Sequence, residues 1–214
     1  MKTIIFIRTA PYNYKLPGKS LYQSLDEIGQ QIANPSILKP APKIREKIEL
    51  IVKKYKPNRV FCSTFNRSQE TACLFSKKIT ITSQLDEINF SMRDFSEPED
   101  LSADKFDKKI INRIRHQFSI ALIDNKLQEK QKDITKRLAD FKKNIDDLGM
   151  SETVLCCSHG FIMKLFQNFF LSVRKLNDFK RLVIMYNWKK PPFAFLSGFV
   201  ILGDKNSFHV SNFS

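Results

Sequence analysis

The side chains of this chain best suited to chemistry are two arginines and a histidine, each standing where an apolar run gives way to a loop. Arg8 closes Thr3-Ile4-Ile5-Phe6-Ile7. Arg67 follows Arg59-Val60-Phe61-Cys62 through Ser63-Thr64-Phe65-Asn66, and His159 stands in Ser158-His159-Gly160, after Thr153-Val154-Leu155-Cys156-Cys157. A fourth segment, Leu85-Asp86-Glu87-Ile88-Asn89-Phe90, offers Glu87. Guanidinium forks match phosphate oxygens in shape and charge, and helix starts beside Arg67 and His159 would add backbone N–H donors. Brought together, these groups make a cradle for one phosphoryl group. Taken singly they say little, because a loop arginine is commonly a solvated charge and a histidine at a strand end is as often structural as catalytic.

The elements that must position these residues read as an alternating α/β pattern. Residues 2–8 form a continuous β-branched and aromatic run, as in a central strand covered on both faces. Leu21, Leu25, Ile28 and Ile32 recur at helical spacing over residues 20–33, with Asn34-Pro35 as the stop. Ile44, Ile48, Ile51 and Val52 mark a second amphipathic helix over residues 43–55, ended by Lys56-Pro57. A strand at 59–62, a helix from about Arg67, a strand at 79–82 and an irregular stretch over 86–103 follow. Two helices are expected at about 104–122 and 127–148. The second carries the stripe Ile134, Leu138, Phe141, Ile145, Leu148 and stops at Gly149. A strand at 153–157, a helix at 161–170 and strand-like runs at 182–186, 195–202 and 208–210 complete the chain. This order predicts a three-layer α/β/α sandwich around a mostly parallel mixed sheet. It reads as one domain over residues 1–214 with a mainly helical insertion around 95–150. In open sheets of this kind the ligand crevice lies at the carboxyl ends of the strands, where Arg8 and His159 fall.

Composition narrows the partners. The chain has 214 residues, 42% hydrophobic and 27% charged, enough for a substantial core. The run Phe161 to Val173 is broken by Lys164, Gln167 and Asn168 and falls short of the ~20 apolar residues that span a bilayer. No membrane span, and no secretory leader in the first residues, is expected. Cys62, Cys73, Cys156 and Cys157 lack paired metal-ligand spacing, so reduced, mostly buried thiols, a cytoplasmic setting and no metal or cofactor are expected. The net charge of +14 favours anionic partners. Much of the excess sits in helical stretches with acidic residues interspersed, so a phosphorylated small molecule or phosphopeptide ranks ahead of nucleic acid. The oligomeric state is not read from the sequence.

The order and context of these segments carry a resemblance. The strand ending in Arg8, the segment Ser63-Thr64-Phe65-Asn66-Arg67-Ser68-Gln69-Glu70-Thr71-Ala72, Leu85 to Phe90, and Val154-Leu155-Cys156-Cys157-Ser158-His159-Gly160 resemble the histidine phosphatase superfamily, the phosphoglycerate-mutase-like fold, in sequence order. Leu25 to Ala33 is similar to that family's Leu-Thr-x-x-Gly-x-x-Gln-Ala helix. The resemblance covers about residues 4–165. It implies a two-stage phosphoryl transfer in which a histidine directly after the first arginine attacks phosphorus and a glutamate protonates the leaving oxygen. Arg8, Arg67 and His159 would clamp the phosphoryl oxygens, and Glu87 would be the acid.

One departure from the family pattern governs the expected activity. Where the family has Arg-His-Gly, this chain reads Arg8-Thr9-Ala10, followed by Pro11-Tyr12. A threonine hydroxyl is protonated at neutral pH and attacks only with a base beside it; losing a nucleophile costs about 10⁶-fold in rate in a well-studied hydrolase. A phosphate-binding pseudoenzyme is therefore the leading expectation. An active phosphomonoesterase using His159 or an activated water is the first alternative, and a basic protein- or nucleic-acid-interaction module the second. His116 and His209 lie in a charged helix and a tail strand. Cys62 with Arg67 has Cys-x4-Arg spacing, one residue short of the tyrosine-phosphatase loop, and is set aside. Beyond Glu87 the family commonly has Gly-x-Trp-Glu-Gly, whereas this chain has Ser91-Met92-Arg93-Asp94-Phe95, and Arg93 is expected to face solvent.

Overall fold

The computed structural model describes residues 1–96, 108–171, 183, 193–203 and 208–213. The expected strand-like run 182–186 lies outside these, except for Val183, as does the 97–107 part of the expected insertion.

Six strands form one mixed sheet in the order β3-β2-β4-β1-β5-β6. They are β1 (Lys2–Arg8), β2 (Arg59–Cys62), β3 (Thr80–Ile81), β4 (Thr153–Ser158), β5 (Gly198–Gly203) and β6 (Phe208–Phe213). β1, β2, β3 and β4 run parallel, β5 pairs antiparallel with β1, and β6 pairs antiparallel with β5. The registers Arg8↔Ser158 and Cys62↔Cys157 bring the carboxyl ends of β1, β4 and β2 level with one another.

Alternation along the strands splits the core into two layers. Ile4, Phe6, Val154, Cys156, Phe199 and Ile201 face one side of the sheet, and Ile5, Ile7, Leu155, Cys157 and Val200 face the other. On the first side lie α4 (Lys108–Ile123), α5 (Gln131–Asp146) and α6 (Gly160–Leu171). On the second lie α2 (Pro42–Tyr55) and α3 (Asn66–Cys73). Phe6 stacks on Phe199 with centroids 4.7 Å apart and meets Phe141 edge-on at 5.9 Å. Fully burying such a ring contributes ~1.5–3 kcal/mol. Cys156 and Cys157 point to opposite faces, so the neighbouring thiols do not meet.

Several boundaries differ from those expected. The first helix, α1 (Leu21–Gly29), is fixed by a Ser20–Gln23 capping box but stops at Gly29. Gln31 takes a left-handed φ of 62°, and the N–H groups of Ile32 and Ala33 both return to the Glu27 carbonyl. Ile32 therefore leaves the apolar face and is 69% exposed. The α5 stripe holds from Ile134 to Ile145, but the helix starts at Gln131. Leu127 is buried in the preceding turn, where Asn125 is left-handed at φ 58°. Cys62, Cys156 and Cys157 are buried, as expected of most of the thiols, and Cys73 is exposed on α3. β5 begins at Gly198 instead of residue 195, because Leu196 takes φ 54° and turns the chain there. Among the described residues no helix is long and apolar enough to cross a membrane.

Candidate phosphate site

The carboxyl ends of β1 and β4 open into a cavity of about 360 Å³. Arg8, Thr9, Arg67, Glu87 and His159 all line it. Hydrogen bonds between segments far apart in sequence hold these residues in register. The N–H of Thr9 continues the ladder to the Ser158 carbonyl at 3.1 Å, and that of Ala10 donates to Thr71 Oγ1 at 2.9 Å. The Thr71 hydroxyl in turn donates to the Arg67 carbonyl at 2.6 Å, tying the turn after β1 to α3. Ser68 Oγ donates to the Cys157 carbonyl at 2.8 Å, and Ser158 Oγ to that of Leu85 at 2.6 Å. The spaced serines and threonine of the sequence thus act as cross-braces between loops.

Arg67 is only 2% exposed, and its guanidinium lies between the rings of Tyr12 at 4.8 Å and Phe65 at 4.5 Å. Among the described residues, its Nε and Nη1 are buried without a hydrogen-bond partner. Enclosure, with Arg8 nearby, lowers its pKa, while Tyr12 and Glu87 oppose the shift. Buried arginine donors are ordinarily satisfied. A cation held this way is poised for an anion.

Arg8 is engaged differently. Its Nη1 donates to the Phe193 carbonyl at 2.5 Å, its Nη2 to the Tyr14 hydroxyl at 2.7 Å, and its plane lies 4.4 Å from the Phe195 ring. The left-handed turn at Leu196, whose N–H donates to the Arg8 carbonyl, brings Phe195 there.

His159 Nε2 lies 2.7 Å from Ser63 Oγ, and that hydroxyl also accepts the Phe65 N–H at 3.3 Å. Enclosure first, then Arg67, Arg8 and Arg137, hold the imidazole pKa well below its ordinary value. The ring is neutral at pH 7. Which group donates across this contact follows the imidazole tautomer: with the ring proton on Nδ1, the Ser63 hydroxyl donates to Nε2.

Glu87 serves as a cap. Its Oε1 accepts the N–H groups of Ile88 at 3.1 Å and Ile162 at 2.9 Å, and its Oε2 that of Phe161 at 3.2 Å. The first amides of α6 are thus committed to a carboxylate instead of standing open to an incoming anion, which corrects the expectation of free helix-end donors beside His159. Enclosure raises the Glu87 pKa, and these three donors and Arg67 pull against it. Neighbouring Asp86 accepts from the Thr64 N–H at 2.7 Å and hydroxyl at 2.9 Å, fixing the segment that carries Glu87.

The remaining candidates fall elsewhere. His116 and His209 are exposed on α4 and β6, and Arg93 is exposed. Cys62 is buried in β2 with its thiol pushed up to about 12 by enclosure, and it does not line the cavity. Of Ser91 to Phe95 it is Met92 that lines the cavity, next to Phe90 before it. Sequence reasoning missed Tyr12, Tyr14, Phe195 and Arg115, all in the lining, and Ser63 as the partner of His159. Only Tyr12 carried a local signal, as part of the departure after Arg8. Among the described residues, no group of three or more His, Cys, Asp or Glu side chains is gathered to hold a metal ion.

The family model described as the histidine phosphatase superfamily (branch 1) matches residues 45–187. No curated protein matches the chain. Among solved structures, a mutant phosphoserine phosphatase from Entamoeba histolytica in complex with phosphoserine is 16% identical, with 100% of this chain and 96% of that chain covered at a TM-score of 0.59. Phosphoserine phosphatase from the same organism in complex with 3-phosphoglyceric acid is 14% identical, covering 100% and 98% at 0.59. Bacillus stearothermophilus YhfR is 17% identical, covering 99% and 96% at 0.62. At these identities the likeness establishes the fold.

Proposed function

Since this chain belongs to the histidine phosphatase superfamily, branch 1, we propose that the cavity binds a phosphorylated ligand through Arg8, Arg67 and His159, with little or no turnover by the phosphohistidine route. The observation that carries this reading is Arg67, a buried guanidinium gripped by two rings with Nε and Nη1 unpartnered. A phosphoryl group would satisfy those donors and neutralise the charge. Arg8 would exchange its Tyr14 hydroxyl for a phosphoryl oxygen, and His159 would donate from Nδ1. Glu87, with its raised pKa, would hold a proton more readily and so repel a dianion less. Two ligands found in proteins of the same fold, phosphoserine and 3-phosphoglyceric acid, are themselves phosphorylated small molecules.

Thr9 stands where the family's nucleophile would be. No base is committed to it, because His159 Nε2 is paired with Ser63. An unactivated hydroxyl in that place leaves binding intact and removes the attacking atom.

The test compares wild type, Thr9→His and His159→Ala on an aryl phosphate and a panel of phosphorylated metabolites. A silent wild type, with turnover appearing in Thr9→His, is expected. Wild-type turnover abolished by His159→Ala would overturn the reading in favour of an enzyme that uses His159, whose neutral ring already meets one requirement of a nucleophile.

A further inference from the structure

We infer that the ester group of the ligand is apolar: the cavity fits a phosphate monoester of an aryl or branched alkyl alcohol better than a phosphorylated amino acid or hydroxy acid. This rests on the phosphate reading above and names the class of ligand for the same site.

Arg8, Arg67 and His159 of the cavity follow the ends of β1, β2 and β4, while Glu87 comes from the segment after β3 and Arg115 from α4. Most of the remaining lining comes from α1, the segment after Glu87, α4 and the start of α6, as Leu25, Ile28, Phe90, Met92, Ile114 and Phe161. None of these side chains offers a strong hydrogen-bond donor or acceptor. Leu25, Phe90, Met92 and Ile114 belong to one hydrophobic cluster, so this wall is continuous apolar surface.

The backbone of the same wall is equally unavailable. The Phe90 N–H donates to the Gly29 carbonyl at 3.1 Å, the Met92 N–H to Asp26 Oδ1 at 2.7 Å, and the Phe161 N–H to Glu87. Asp26, beside Leu25 on α1, is already occupied and offers little to a ligand ammonium. Its Oδ1 also takes the Ser91 hydroxyl at 2.8 Å, and its Oδ2 the Gln30 amide at 2.7 Å. Gly29 lines the cavity as well, and a Cβ there would stand 2.4 Å from the Phe90 ring, so the ring itself closes over the glycine. An ammonium, carboxylate or hydroxyl pressed against this wall would lose water and gain no partner. A ring or branched chain would lose only unfavourable hydration. Arg115 is the one further charged side chain in the lining. It donates to Asn112 Oδ1 at 3.3 Å, and it is where a ligand carboxylate would have to bind.

Isothermal titration of the full chain with inorganic phosphate, 1-naphthyl phosphate, phosphoserine and 3-phosphoglycerate decides the matter. Affinity rises about tenfold for each ~55 Å² of apolar surface removed from water. 1-Naphthyl phosphate should therefore bind at least roughly tenfold more tightly than inorganic phosphate and more tightly than both acids. Leu25→Gln should narrow the ratio of naphthyl phosphate to inorganic phosphate, and Leu25→Met should preserve it. Inorganic phosphate binding with phosphoserine or 3-phosphoglycerate equal to or tighter than naphthyl phosphate would overturn this inference alone and point to Arg115. Failure of every phosphate to bind would overturn the phosphate reading and this inference with it.

Discussion

Replacing Arg67 by methionine should make the empty protein more stable while removing its response to phosphate. Two buried guanidinium nitrogens lack partners, and each unsatisfied buried donor costs ~1–3 kcal/mol. The contacts with Tyr12 and Phe65 return ~0.5–2 kcal/mol each. Attraction to Glu87 exceeds repulsion from Arg8 and returns a further part of that cost. The balance leaves the arginine a net burden of about 1 kcal/mol when the cavity is empty. A methionine of similar length keeps the packing between the rings and needs no partner. Urea denaturation of both proteins, with and without saturating phosphate, measures the effect. Arg67→Met should gain about 1 kcal/mol without ligand and lose the stabilisation that phosphate confers on wild type. A variant destabilised by more than 1 kcal/mol that still gains from phosphate would show that Arg67 is a structural cation, refuting the argument from its unpartnered donors.

A Cβ on Gly198 would stand 1.8 Å from the Phe6 carbonyl oxygen, so Gly198→Ala should part β5 from β1 beside Arg8 and cost upwards of about 3 kcal/mol, read as a large fall in the denaturation midpoint. His159 is held neutral when folded, with a pKa well below 6.5. The unfolded chain therefore binds the extra proton first, and stability should fall as pH drops below about 6.5, by up to ~1.4 kcal/mol per pH unit. The raised pKa of Glu87 acts in the opposite sense, its contribution being lost as pH rises through its folded value. The comparison with His159→Gln isolates the histidine: an unchanged slope between about pH 6.5 and 5 would show that its imidazole does not set it.

The central strands were legible because their signal is local. β1, β2 and β4 are short apolar runs, and burial on both faces is the condition such runs report. The α5 stripe was legible for the same reason, whereas its start was hidden by Leu127, a core residue that lies in a turn. Arg8, Arg67 and His159 could be singled out because strand ends in such sheets converge, and Glu87 through its place in the family resemblance; all four line one cavity. What they do there depends on partners far away in sequence. Ser63 meets His159 across 96 positions, and Glu87 reaches the α6 amides across 74 and 75. Phe195 lies over Arg8 only because Leu196 is left-handed, a conformation that leucine does not advertise.

On the phosphate reading, the cap that Glu87 places on α6 should link occupancy of the cavity to the anchoring of that helix through one proton. Ionised, the carboxylate holds the amides of Phe161 and Ile162 and favours the positive end of the helix dipole. A dianion arriving beside it favours the protonated form, which accepts those amides less strongly. Binding should therefore draw a proton from solution, seen as a binding enthalpy that changes with the ionisation heat of the buffer; a buffer-independent enthalpy would uncouple the two. The helix so loosened or tightened carries Phe166 and Phe170 against Phe6 at the centre of the sheet, and the charge state of one carboxyl is thereby registered in the packing of the core.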